Sequence, residues 1–278
     1  MKKAASPAIT RVGPSGWGYS DWEGIVFPRR PAGHGHPLEL LAGKFDTVEI
    51  ASTYERPLRP EIARLYLAKV AHNPNFAFTA VLGRRFTRER CLDAAEVAEF
   101  KAGIRPLMSA GRLGCLVLSF PWAFRFTVEN REFLIQLRRA FSPFPMAAEM
   151  KHASWLAEEA LGTLIDYRLG FVNLDQAPHA GAMPLTSIVT SGPACFRLHG
   201  RDGRYWLREF SGESGRNDHF YPALELEEMA RRIRRAGAFA PGTFVTLTNS
   251  AAGKSVINAL QLAAMLREHE SAPHRAVA

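Results

Sequence analysis

The chain has 278 residues, 47% of them hydrophobic and 22% charged, which is enough apolar side chain to close one large core or two small ones and excludes a disordered chain. Lys plus Arg exceed Asp plus Glu by 35 to 27, a formal net charge of +8; such an excess steers nucleic acid, anionic metabolites or an acidic partner to the surface without choosing among them. The three cysteines, Cys91, Cys115 and Cys195, make neither a paired framework nor a C-x-x-C zinc or redox motif, so a reducing, cytoplasmic setting is expected.

The Met-Lys-Lys start runs into Ala-Ala-Ser-Pro instead of an apolar segment, and the densest apolar run, residues 113–124, is too short to span a bilayer. No membrane partner is expected. Internal repeats, low-complexity tracts and Pro/Gly/Ser linkers are absent from the sequence. The reading is therefore one domain over residues 10–268, with disordered tails at 1–9 and 269–278.

Within that domain, short β-branched or apolar runs alternate with longer stretches of helical spacing. Strands are predicted at residues 10–15, 46–51, 77–82, 115–120, 146–150, 171–175, 194–199 and 243–248. Helices are predicted at 59–72, 94–110, 128–140, 154–169, 224–236 and 255–267, with Ser154 as the N-cap and Gly170 as the C-cap of the fourth. Residues 176–192 are too rich in Pro, Gly and His for a helix, and His34-Gly35-His36 reads as a loose loop. Eight strand-and-crossover units fit an α/β fold of the single-domain (β/α)8 TIM-type barrel, which takes about 250 residues. The competing open doubly wound sheet requires G-x-G-x-x-G after its first strand, and Gly13-Pro14-Ser15-Gly16-Trp17-Gly18 does not supply it.

The strands turn polar at their carboxyl ends. Side chains two apart on a strand share a face, and Thr47/Glu49, Asn173/Asp175 and Arg197/His199 each keep one parity there. Glu149 with Lys151, Ser119 and Asn249 fall at the corresponding places on three other strands. Catalytic groups of TIM barrels come from these ends, so the residues are expected to converge on one pocket.

Gly16-Trp17 with Tyr19, Trp22 and Pro28, then Phe45-Asp46-Thr47-Val48-Glu49, Phe120-Pro121, Glu149 with Trp155, Arg197-Leu198-His199-Gly200, and Asn249 with Gly253 and Asn258-Ala259 occur in that order over residues 10–265. Together they closely resemble the YecE-like family, known as domain of unknown function 72. The resemblance implies a TIM-type barrel, in agreement with the strand count, and an activity that is not established. It also marks departures. Ala51 stands where the family usually has Asn, Val81 where it has Lys, Ser119 for Gln, Lys151 for Arg, Arg88 for His, and Thr248 for the first of two asparagines. Two alternatives follow: an altered substrate, or a catalytic set eroded to binding alone.

Glu149, Asp175 and His199, on neighbouring strands, form a set able to hold Mg²⁺, Mn²⁺ or Zn²⁺, which makes a divalent metal the one cofactor the sequence suggests. Lys151 and Arg197 on the same strands would neutralise those carboxylates equally well. Without a metal, Glu149 and His199 read as the acid/base pair, Glu49 and Asp175 complete the pocket, and Arg197 and Asn249 position an anionic substrate bearing phosphate or carboxylate. Glu49 with Glu149 is also weighed as a glycosidase pair. Residues 249–255 look like half a P-loop, and the helix N-terminus beside Lys254 reads as an anion site. Trp17, Tyr19 and Tyr205 are candidates to stack on a substrate ring, and residues 200–221 a lid carrying Arg201, Arg204, Arg208 and Arg216. Arg84, Arg85, Arg88 and Arg90, with Arg231, Arg232, Arg234 and Arg235, form basic clusters that a nucleic acid would use. On this reading Glu149→Gln abolishes turnover with the melting temperature nearly unchanged.

Overall fold

The computed structural model describes residues 9–29, 35–204 and 217–271. Eight strands are found there: β1 (Thr10–Pro14), β2 (Thr47–Ile50), β3 (Ala77–Val81), β4 (Leu113–Ser119), β5 (Met146–Glu149), β6 (Gly170–Gln176), β7 (Ala194–Gly200) and β8 (Thr243–Leu247). All pair in parallel, in the order β1-β8-β7-β6-β5-β4-β3-β2. The ends of that order, β1 and β2, meet through the single bridge Ser15–Glu49, so the sheet forms a nearly closed (β/α)8 TIM-type barrel. Each predicted strand lies within a few residues of an observed one, because every strand is buried on both faces and reads as a short apolar run.

Helices α1 (Pro37–Ala42), α2 (Pro60–Lys69), α3 (Arg84–Thr87), α4 (Ala94–Ser109), α5 (Val128–Ala140), α6 (Glu158–Asp166), α7 (Ala223–Gly237) and α8 (Lys254–Ser271) are described around it. In α4, Val97, Phe100, Ile104 and Leu107 are buried, and their spacing makes one stripe against the sheet. Asp93 starts this helix by accepting from the Ala95 and Glu96 amides at 2.9 and 3.0 Å. Leu226, Met229, Ala230 and Ile233 form the equivalent stripe of α7.

Four local expectations are corrected. The stretch 154–169 is a 3-10 turn, Ala153–Leu156, followed by α6. Ser154 does not cap α6; its hydroxyl accepts from the Phe126 amide at 2.8 Å, tying the loop after β4 to the loop after β5. Gly170 is not a C-cap but the first residue of β6, and Arg168 takes the left-handed backbone at φ 53° beyond the helix end. His36 is not in a loose loop: its Nδ1 accepts from the Leu38 amide while Glu39 reaches back to the His36 amide at 2.9 Å, a reciprocal cap for α1.

Inside the barrel, Cys115, Val117, Ala147, Val172 and Cys195 form their own small apolar cluster. The thiol contact with Cys195 at 3.7 Å and complete burial push the Cys115 thiol well above its ordinary range, which disfavours the reactive thiolate. These side chains form an apolar floor, and the polar residues further along the same strands lie above it.

Candidate functional site

Residues paired across parallel strands point to the same side of the sheet, so the register decides which polar ends face inward. Cys115, Ala147, Val172 and Cys195 are interior, and the same parity carries Ser119 on β4, Glu149 on β5, and Arg197 and His199 on β7 into the barrel. Glu49 pairs with Thr79, which pairs with Cys115, and is interior as well. Asn173 and Asp175 have the opposite parity: they pair with Phe196 and Leu198 and face the outer layer.

The interior groups form one connected network. Arg197 lies between the two carboxylates, donating through Nη2 to Glu49 Oε1 at 2.8 Å and through Nη1 to Glu149 Oε2. Ser15 donates to Glu49 Oε1 at 2.7 Å and Ser119 to Glu149 Oε1 at 2.6 Å. His199 Nε2 meets Glu149 Oε2 at 2.9 Å, and its Nδ1 meets Thr248 Oγ1 at 2.9 Å. Glu49 and Glu149 are fully buried, Arg197, His199 and Lys151 nearly so, while Ser119 and Thr248 are half-buried at the upper edge. The part of the network nearest solvent therefore consists of two hydroxyls.

Burial raises the Glu149 pKa, but the Arg197 charge, the electrostatic interaction and hydrogen bond with His199 and the Lys151 charge outweigh it and hold the carboxyl well below the usual range. Burial likewise works against the Arg197 charge, and the two glutamates more than offset it, raising its pKa above the ordinary guanidinium value. An ionised Glu149 can only accept a hydrogen bond. One tautomer of the His199 ring then satisfies both contacts: Nε2–H donates to Glu149, and Nδ1 accepts from the Thr248 hydroxyl. Among the described residues Glu49 Oε2, Arg197 Nε, Thr47 Oγ1 and Thr79 Oγ1 lack hydrogen-bond partners, so polar capacity is left over on the β2, β3 and β7 side.

Of the residues predicted from sequence, the fold brings together Glu49, Glu149, Lys151, Arg197 and His199. Asp175 is elsewhere. It accepts from Tyr221 Oη at 2.7 Å and pairs with Arg201 at 2.8 Å, which also reaches Glu225 on α7. The three-ligand metal set Glu149, Asp175 and His199 is therefore not assembled. Among the described residues no group of three or more His, Cys, Asp or Glu side chains is placed to hold a metal ion.

Asn249 is buried under the loop before α7. Its Nδ2 donates to Asn258 Oδ1 and to the His219 carbonyl, at 3.0 and 2.9 Å. The anion site expected at the start of α8 is filled by the protein's own carboxylates: Asp21 accepts from the Ala252 amide at 2.7 Å, and Asp218 accepts from Lys254 Nζ at 2.7 Å. Trp17 packs edge-on against Tyr66, with ring centroids 5.0 Å apart. Tyr19 reaches over the end of β1 and donates to the Ser15 carbonyl at 3.2 Å. Tyr205, Arg208 and Arg216 lie outside the described residues.

Sequence reasoning missed two features. Thr248 was noted only as a departure from a motif, although its position directly after β8 was itself a signal. The second is a group at the barrel mouth beyond β4, β5 and β6, where Trp122 lies 5.3 Å from the His152 ring and 5.8 Å from the His179 ring, with Arg125 over its face. Trp122 and His152 each follow a predicted strand end by two residues, a position at the barrel mouth that the sequence itself signals.

The sequence profile of the family described as "Protein of unknown function DUF72" matches residues 11–277. A solved DUF72 family protein from Thermotoga maritima is similar at 29% identity and a TM-score of 0.78, over 93% of this chain and 99% of that one. A second, from Enterococcus faecalis, is 20% identical with a TM-score of 0.78, over 94% and 98% of the two chains. A search of curated proteins finds no match.

Proposed function

This chain belongs to the DUF72 family, and from that premise and the buried network we propose that it is an enzyme performing hydrolase-like acid/base chemistry at the carboxyl-terminal mouth of its barrel. The observation that carries the proposal is the contact of His199 with Glu149 at 2.9 Å. An ionised, fully buried carboxylate fixes the imidazole tautomer and stabilises the imidazolium that forms when His199 takes up a proton, which is what a general base requires of its partner. Glu149 is then the orienting group and His199 the proton acceptor, whereas the sequence left both roles open.

The anionic character expected of the substrate is not kept. Both Arg197 Nη groups are engaged by carboxylates, leaving only the buried Nε, and Lys254 is engaged by Asp218, so neither charge is offered uncompensated to a phosphate. The glycosidase reading is set aside for a related reason: the Arg197 guanidinium fills the space between Glu49 and Glu149 where a glycosidic bond would have to lie.

A second reading, binding without turnover, draws support from the same pairing of Arg197 with two carboxylates, since such a guanidinium also suits a purely structural ion pair. A panel of chromogenic carboxylic-ester, phosphate-ester and glycoside substrates separates the two. Turnover of at least one class is expected, reduced about 100- to 10,000-fold in His199→Gln. Equal rates for wild type and variant, or ligand-induced stabilisation with no product from any bound compound, would overturn the catalytic reading.

A further inference from the structure

Three groups in the network are joined in sequence: a buried carboxylate, Glu149; an imidazole, His199, 2.9 Å from it; and the hydroxyl of the half-buried Thr248, 2.9 Å from the other ring nitrogen. The competing acceptor for the Thr248 proton is the Leu198 carbonyl, at 3.4 Å, which already takes the Thr248 amide at 2.9 Å. His199 Nδ1 is the closer and more basic of the two. Ser119, the other hydroxyl at the rim, donates to Glu149 itself, and a carboxylate held far below its usual pKa is a poor proton acceptor. The two hydroxyls are thus not equivalent.

We infer that Thr248 is a nucleophile, activated by His199 and Glu149, and that the substrates are carboxylic esters processed through an acyl group carried on Thr248. The inference rests on the acid/base role of His199 proposed above. Carboxylate, base and hydroxyl in hydrogen-bonded succession are the general arrangement by which a weakly acidic alcohol becomes a usable nucleophile, independent of fold or chain order. In the first half-reaction Thr248 Oγ1 bonds to the acyl carbon while its proton passes to His199 Nδ1. The ester C–O bond then breaks, and the leaving alkoxide takes that proton from Nδ1 and departs as the alcohol. In the second, a water oxygen bonds to the acyl carbon and gives a proton to Nδ1. The bond to Oγ1 breaks, Thr248 recovers the proton, and a carboxylic acid is released. Glu149 keeps its charge throughout, because Arg197, Ser119 and Lys151 all favour the ionised form.

The test uses the full-length protein with 4-nitrophenyl acetate, read by rapid-mixing absorbance and by intact-mass spectrometry of acid-quenched samples. A burst of about one nitrophenol per chain and one acetyl group mapped to Thr248 are expected. Both are lost in Thr248→Val, which keeps the shape of the side chain, and in His199→Gln, and both are retained in Thr248→Ser. Ester turnover that needs His199 but persists in Thr248→Val, with no adduct at residue 248, overturns Thr248 as the nucleophile and leaves the acid/base reading standing. Identical behaviour of wild type, Thr248→Val and His199→Gln overturns both.

Discussion

Glu149 shows why a catalytic carboxylate in this barrel cannot be treated as a removable part. It is fully buried and accepts from Arg197, His199 and Ser119, so removing its charge leaves a buried guanidinium compensated by Glu49 alone. Breaking one side of a buried ion pair costs about 3–5 kcal/mol. Glu149→Gln is therefore expected to lower stability by about that amount in urea unfolding, contrary to the unchanged melting temperature that the sequence suggested. An undiminished unfolding free energy would mean that Arg197 is already satisfied without it. The depressed pKa adds a pH signature. In the unfolded chain a glutamate titrates at about 4.3. The contribution of Glu149 is therefore complete above that pH and is lost progressively as pH falls towards its lower folded value, because the unfolded state binds the proton first. The acid limb of wild-type stability should thus be steeper than that of Glu149→Gln below about pH 4.3; parallel limbs would place the acid sensitivity elsewhere.

At the scale of elements, strand identity and order were legible because double burial writes itself as apolar runs, whereas the faces of polar residues were not. Parity along one strand says which residues share a side, but it does not say which side is inward. Arg197 and His199 turned in; Asn173 and Asp175, with the same spacing, turned out, because Val172 pairs with Cys195 in the interior. Helix boundaries failed where a backbone amide from another segment took up the expected capping side chain, as that of Phe126 does with the Ser154 hydroxyl. Long-range pairing of that kind leaves no local trace. Close approach of elements is equally silent. Gly103 lies in the middle of α4, and a Cβ there would sit 1.7 Å from the Leu58 carbonyl oxygen. Helix propensity alone favours Gly103→Ala by about 1 kcal/mol. Here the steric conflict is with backbone, which cannot swing aside, and overpacking of this kind costs about 1–3 kcal/mol or more. The substitution should lower the urea midpoint; a raised midpoint would show that α4 can shift away from Leu58 freely.

For the molecule as a whole, the arginine excess is less available to a partner than its number suggests. Arg84 and Arg85 pair with Glu89, Arg85 also with Glu96, Arg90 with Glu129 and Arg232 with Glu228. Such exposed pairs add little stability, but they do reduce the local field a polyanion would meet. No helix among the described residues is long and apolar enough to cross a membrane.

The same site residues also bear on how the barrel closes. The seam between β1 and β2 is the weak place in the ring: Pro14 has no amide to donate, and Gly13 is pressed so close that a Cβ would lie 1.9 Å from the Thr47 carbonyl oxygen. What holds the seam at its upper end is Glu49. Its carbonyl accepts from the Gly16 amide at 2.9 Å, its carboxylate from Ser15, and Arg197 pulls the same carboxylate towards β7. Glu49 thus binds both sides of the gap, while Glu149 sits across the barrel in a continuous ladder between β4 and β5. Amides at the β1–β2 seam should exchange with deuterium faster than those between β6 and β7, through local opening below the global unfolding free energy. Glu49→Gln should accelerate exchange at the seam selectively, with protection of β6 and β7 falling only by the global loss of stability. If Glu149→Gln loosens the seam as much as Glu49→Gln does, the network acts as a general stabiliser of the barrel and not as its clasp.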